Sequence, residues 1–199
     1  MAASFISSIL MSLFLSHLFL VPPAATATTT GPSRSGGQLL KIACTIDGIA
    51  DPKTWDYNLC IKVLKSNPKV ASSPNLPTLA INIIKFGISN ITNTHTHIKN
   101  SQERKNVGSA HRPALKASLK ACDESYELIL ISFQSALGEV KDDKEYETAT
   151  YDLLLARTDD LDGCKKALAS KKVEDSSISS GNKFVNLFST AADAVCTRL

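Results

Sequence analysis

The sequence predicts an all-α protein: an up-down four-helix bundle preceded by an N-terminal α-hairpin and held by two disulfides. Three observations carry this. From Leu39 onward apolar residues recur at helical spacing, with no convincing alternating strand pattern. Gly and Pro are sparse beyond Gly37 and fall mostly at boundaries. Four long amphipathic segments follow one another with short joints, the pattern of an up-down bundle.

The first element, "LLKIACTIDGIA", is a short helix that stops near Asp51-Pro52, because the residue before Pro resists the helical region. "TWDYNLCIKVLKS" follows and ends at Asn67-Pro68, with Trp55, Leu59, Cys60 and Val63 on its inner side. These two make the hairpin. The first bundle helix opens with Ser73 as N-cap and Pro74 in its first turn, then places Leu76, Ala80, Ile83, Ile84, Ile88, Ile91, His95 and Ile98 on one stripe. The second has Pro113 in its first turn and a stripe of Leu115, Leu119, Cys122, Tyr126, Ile129, Phe133 and Leu137. The third, "DDKEYETATYDLLLARTDDLDGCKKALAS", reads as one helix with Leu154, Leu161, Cys164 and Leu168 inside. The last begins near Ser179 and turns Phe184, Phe188, Ala191, Val195 and Leu199 to the core.

Ahead of the helices, "SFISSILMSLFLSHLFLV" is apolar and uncharged, and Ala25-Thr26-Ala27 fits a signal-peptidase site, so residues 1–27 read as a signal peptide cleaved after Ala27. The competing reading is a membrane anchor. Ser7, Ser8, Ser12, Ser16 and His17 dilute the run and Pro22-Pro23 closes it, which favours a cleaved leader. Residues 28–38 form a flexible lead-in and 39–199 the helical domain, about 170 residues after cleavage and enough for a proper core. The formal charge of +3 is spread along the chain and is no nucleic-acid footprint; weak attraction to an acidic polysaccharide or acidic protein surface is all it suggests. The one Asn-x-Ser/Thr sequon makes Asn90 the candidate glycan site.

Signatures of catalysis are missing. There is no Gly-rich phosphate loop, no G-x-S-x-G and no H-E-x-x-H, and no cofactor is implied. The cysteines are too far apart for a zinc knuckle, which needs pairs roughly two to four residues apart. His95 and His97, two apart on a helix, point to different sides and do not share a metal. Asp142 and Asp143 read as caps of a helix N-terminus, and Asp159, Asp160 and Asp162 as a solvated helix face or turn.

Five cysteines in an oxidising route allow about fifteen ways to form two bridges. A bridge needs Cα atoms roughly 4.4–6.8 Å apart. Cys122 and Cys164 lie on the apolar faces of consecutive antiparallel helices and are natural partners; Cys44 and Cys60 sit where the hairpin arms can touch. Cys196 is then the spare thiol, a small buried hydrophobe.

"C-T-I-D…L-C-I-K-V-L", then "A-L-K-A-C-D-E-S-Y", then "L-D-G-C" and a final amphipathic helix resemble the plant invertase/pectin methylesterase inhibitor family from about Leu39 to Leu199. "K-E-Y-E-T-A" and "G-N-K-F-V-N-L-F-S-T-A" are most similar to its invertase-inhibitor branch, which includes plane-tree pollen allergens. The resemblance implies a helical hairpin before a four-helix bundle, with bridges joining first to second and third to fourth cysteines. It also implies a monomeric, non-enzymatic inhibitor that binds one-to-one to plant invertase, or alternatively to pectin methylesterase, in the apoplast or vacuole. Family members that block invertase press a Pro-Lys-Phe tripeptide into the sucrose pocket. Here the region reads Asp143-Lys144-Glu145-Tyr146, without the Pro and with Glu145 between cation and ring. That makes Asp143, Lys144 and Tyr146 the candidate target-binding residues; the competing reading is a surface lysine and a core tyrosine. A non-inhibitory storage, ligand-carrying or allergen-like protein is the further alternative.

Overall fold

A computed structural model describes residues 36–46, 55–106 and 113–199. The expected signal peptide, most of the lead-in and the Asp51-Pro52 stop lie outside these residues. Among them the chain is helical with no strand, in the order α1 (Gly36–Cys44), α2 (Tyr57–Ser66), α3 (Pro68–Ala71), α4 (Leu76–Asn106), α5 (Pro113–Gly138), a π-helical turn (Glu139–Asp143), α6 (Tyr146–Arg157), α7 (Asp159–Ser170) and α8 (Ser176–Cys196).

α1 and α2 form the expected hairpin. The Cys44–Cys60 bridge ties them with a Cα separation of 5.8 Å, and the Trp55 indole N–H donates to the Cys44 carbonyl at 2.9 Å. α1 begins at Gly36, so the last three residues assigned to the lead-in are helical. In α2 the inward residues are Cys60 and Leu64, one turn apart; Leu59 is exposed, against expectation, because the bridge fixes the helix phase at Cys60. Asn67 both ends α2 and caps α3, its side chain accepting from the Lys69 and Val70 N–H groups.

The N-cap of α4 is Asn75, not Ser73. Asn75 Oδ1 accepts from the Thr78 N–H at 3.0 Å, whereas the Ser73 hydroxyl donates to the Lys69 carbonyl and accepts from the Asn82 amide. "SSPNLP" holds a serine cap candidate and an asparagine one, each with a proline close behind, and the second wins because the first hydroxyl is already committed.

Cross-helix pairs set the bundle topology. His95 meets Asp123 and Gln102 meets Leu119, so α4 and α5 run antiparallel. Ser132 meets Asp160 and Ser118 meets Ala167, so α5 and α7 do too. His97 meets Asp175, while a Cβ on Gly87 would touch Phe188, which makes α8 antiparallel to α4. α8 closes the ring through α6, where Arg157 meets Asp193. The up-down four-helix expectation holds, with α6 and α7 sharing the third position.

That third position departs from the sequence reading. The helix breaks at Thr158 (φ −107°, ψ −91°), whose N–H reaches the carbonyls of Leu154 and Leu155. The break shifts the helical phase, so Leu153 and Ala156 point inward in α6 and Leu154 is exposed, while Leu161, Cys164 and Leu168 stay buried in α7. α8 starts three residues earlier than expected, capped by Asp175, and ends at Cys196, so Leu199 lies beyond it and is exposed rather than in the core.

The core is centred on Tyr126, Phe133 and Phe188, all fully buried. Gly87 allows the two phenylalanines to approach α4: a Cβ there would lie 2.6 Å from the Phe133 ring. Gly163 does the same between α5 and α7, where a Cβ would sit 2.8 Å from Ser125 Oγ. Beside it the Cys122–Cys164 bridge joins the helices with Cα atoms 4.1 Å apart. Both bridges are therefore the expected ones, and Cys196 is the buried free thiol. Burial pushes its pKa up to about 12, helped by Asp193 and Glu139, so it stays a neutral thiol.

Candidate functional site

The segment joining α5 to α6 is where the expected target-binding residues fall. α5 ends in the π-helical turn, which brings the N–H groups of both Lys144 and Glu145 to the Glu139 carbonyl. Closing the turn this way puts Lys144 in the left-handed region (φ 64°), which costs a residue with a Cβ about 1–2 kcal/mol. Lys172 (φ 51°) is the comparable residue after α7.

Asp142 and Asp143 do not cap α6. They lie inside the π turn, Asp142 paired with Lys141 at 2.8 Å, and the α6 N-cap position is Glu145, which makes no side-chain capping bond. A π turn inserts a residue into the helical repeat, and the acidic pair is consumed in it. Asp143 and Lys144 are exposed; Tyr146 is half-buried and packs on the core. The Lys144 ammonium folds back onto the carbonyls of Lys141 and Val140. The structure thus brings the cation and the ring to one end of the bundle, with the ring rooted in the core.

Further along α6, Tyr151 and Leu154 project outward one turn apart. On α5, which packs against α6, Leu128 and Ile131 do the same. The sequence reading missed these four. Their signal is the three-residue spacing of each pair, which puts both members on one helix face.

Elsewhere in the bundle the polar side chains bond to one another across the helices. His95, 8 % exposed, contacts Asp123 at 2.7 Å and lies against the Tyr126 ring. The Tyr126 hydroxyl donates to Asn182 Oδ1 at 3.0 Å, and burial raises its pKa well beyond the ordinary phenol value. His97 faces Asp175 at 3.3 Å. Burial works against the Asp175 carboxylate, but bonds from the Ile178 N–H, His97 and the Ser177 N–H outweigh it and hold its pKa below the usual range. The two histidines bind different carboxylates on different helices, and no cluster of three potential metal ligands occurs among the described residues. Asp160 accepts from Ser132, and Asp162 pairs with Lys166 in the first turn of α7, where negative charge faces the positive end of the helix dipole. Asn90 is half-buried in mid-α4, its amide donating to the Phe86 carbonyl.

No helix of the described residues is long and apolar enough to cross a membrane. No curated protein matches the chain. A crystal structure of a pectin methylesterase inhibitor from Arabidopsis thaliana is similar to it in fold, with a TM-score of 0.57 and 20% sequence identity over 74% of this chain and 91% of that one. Residues 40–193 match the plant invertase/pectin methylesterase inhibitor family. This match spans both hairpin cysteines, the bridged bundle and the segment between α5 and α6, and it shows that the chain belongs to that family of inhibitors.

Proposed function

We propose that the protein inhibits plant invertase, one molecule blocking one active-site cleft, with Lys144 as its leading contact. The observation that carries this reading is the position of Lys144: an exposed cation at the tip of a closed turn, two residues before a tyrosine packed on the core. Invertase cleaves its substrate with carboxylates, so a cation beside an aromatic surface complements its pocket. The left-handed backbone at Lys144 fits a residue held for contact rather than for stability. Tyr151 and Leu154, on the outer side of the helix that follows, offer apolar area to flank it. In this reading residues 1–27 direct the chain to the secretory route, 39–199 form the inhibitory domain, Asn90 accepts a glycan and the protein works as a monomer in the apoplast or vacuole.

The fold similarity to a pectin methylesterase inhibitor supports a second reading, in which the target is pectin methylesterase and a bundle face seals its cleft. Purified protein titrated at about pH 5 against each enzyme separates the two. Lys144→Ala should weaken invertase inhibition at least tenfold, equivalent to about 1.4 kcal/mol, with the fold unchanged by circular dichroism. Unaltered inhibition in that variant would remove Lys144 from the contact. Inhibition of neither enzyme would leave the non-inhibitory storage or carrier reading.

A further inference from the structure

Glu139 opens the turn that carries Lys144. Its residue surface is half-exposed, but Oε2 is enclosed and has no hydrogen-bond partner, while Oε1 receives only the Ser135 hydroxyl at 3.4 Å. Its backbone carbonyl is the acceptor for both N–H groups that close the turn. The charged groups around it are mostly of its own sign. Asp143 stands at the end of the same turn, Glu145 follows it, and Asp152 comes from α6. Lys141 is paired with Asp142, and Lys144 is folded onto backbone carbonyls. From α8 the neighbouring titratable group is Cys196, a neutral thiol. α4 also packs on the turn, and between Leu76 and Thr94 its one charged side chain is the exposed Lys85.

We propose that Glu139 is a proton-operated latch on the Lys144 turn: protonated, it lets the π turn close around it, and ionised, it loosens the turn. Taking up one proton at Oε2 removes the negative charge from a carboxylate that has one oxygen enclosed without a partner and like charges around it. Burial, followed by repulsion from Asp152, Asp143 and Glu145, raises the Glu139 pKa in the closed turn. When the turn opens, the carboxyl meets water and returns to its ordinary value of about 4.3. The closed form therefore binds more protons, and closing is favoured as pH falls through the interval above that value. A preformed turn lowers the cost of binding, so the latch would make the inhibitor strongest in a mildly acidic compartment. This consequence rests on Lys144 being the target contact; the latch itself does not.

Amide hydrogen exchange of residues 140–146, in wild type and Glu139→Gln at matched pH values from 4 to 7.5, tests the latch without any target enzyme. The wild type should lose protection relative to Glu139→Gln as pH rises, by up to about tenfold per pH unit for a single proton. Asp152→Asn, which removes one repulsive neighbour, should move the wild-type transition to lower pH, and a carboxyl NMR titration should place Glu139 above the ordinary range. A protection ratio independent of pH, or a Glu139 titration at the ordinary value, overturns the latch. A latch that titrates as described in a protein that does not inhibit invertase would overturn the functional reading instead.

Discussion

Replacing Cys122 and Cys164 together by alanine should lower the melting temperature by about 8–16 °C. The bridge joins residues separated by 42 positions, and on the chain-entropy account a ring of that size stabilises the fold by about 4 kcal/mol. For a domain of this length each kcal/mol moves the melting temperature by about 2–4 °C. The bridge has a second role. Asn182 directs its amide to Cys164 Sγ and accepts from the Tyr126 hydroxyl, so the sulfur belongs to the buried network that also holds His95. Calorimetry of the double variant in oxidising buffer checks the size of the effect. A shift below about 3 °C would mean that helix packing alone holds α5 to α7.

Arg157→Leu should cost about 3–5 kcal/mol, a loss comparable to removal of the bridge. Arg157 is the last residue of α6, and its guanidinium donates to Asp193 Oδ2 at 2.6 Å with both side chains more than nine-tenths buried. Without the arginine, the Asp193 carboxylate remains inside the bundle with only the Thr197 hydroxyl from a side chain, at 3.2 Å. A buried charge deprived of its partner is far more costly than the intact pair is favourable. The Arg157→Leu/Asp193→Leu double variant should therefore recover most of the loss, since both charges go together. Urea unfolding of the two variants decides it: equal destabilisation in both would show that shape rather than charge pairing matters there.

The sequence was most informative where burial follows a regular period. The stripe from Leu115 to Phe133 is buried as spaced, and the bridges could be paired because Cys122 and Cys164 lie on facing apolar sides and Cys44 and Cys60 sit where the hairpin arms touch. His95 belonged to an apolar stripe, which correctly placed it inside. Legibility failed where the helical phase changes without a mark. Leu154, Leu161 and Leu168 are seven residues apart and keep a plausible period across Thr158, so nothing in the spacing reveals that Leu153 has taken the inward position. The π turn has no residue signature either, and Asp142 and Asp143 looked like the caps they resemble. Arg157 was silent for another reason: its burial depends on Asp193, which is 36 residues away in sequence and adjacent only after folding. At the candidate site the residue types were readable. The folded-back ammonium of Lys144, the rooted ring of Tyr146 and the enclosed oxygen of Glu139 were not, since each depends on the path of the turn.

The bridge between Cys122 and Cys164 encloses the whole segment from the middle of α5 to the middle of α7, including the exposed turn at Lys141 and Lys144. A trypsin-like protease acting on this turn would cut after one of those lysines. A cut there leaves two fragments in one covalent loop, so the nicked molecule keeps its mass under non-reducing conditions and separates into two pieces after reduction. Within that loop the severed ends stay at high effective concentration and can re-dock. The inhibitor would thus survive a single cleavage within this turn.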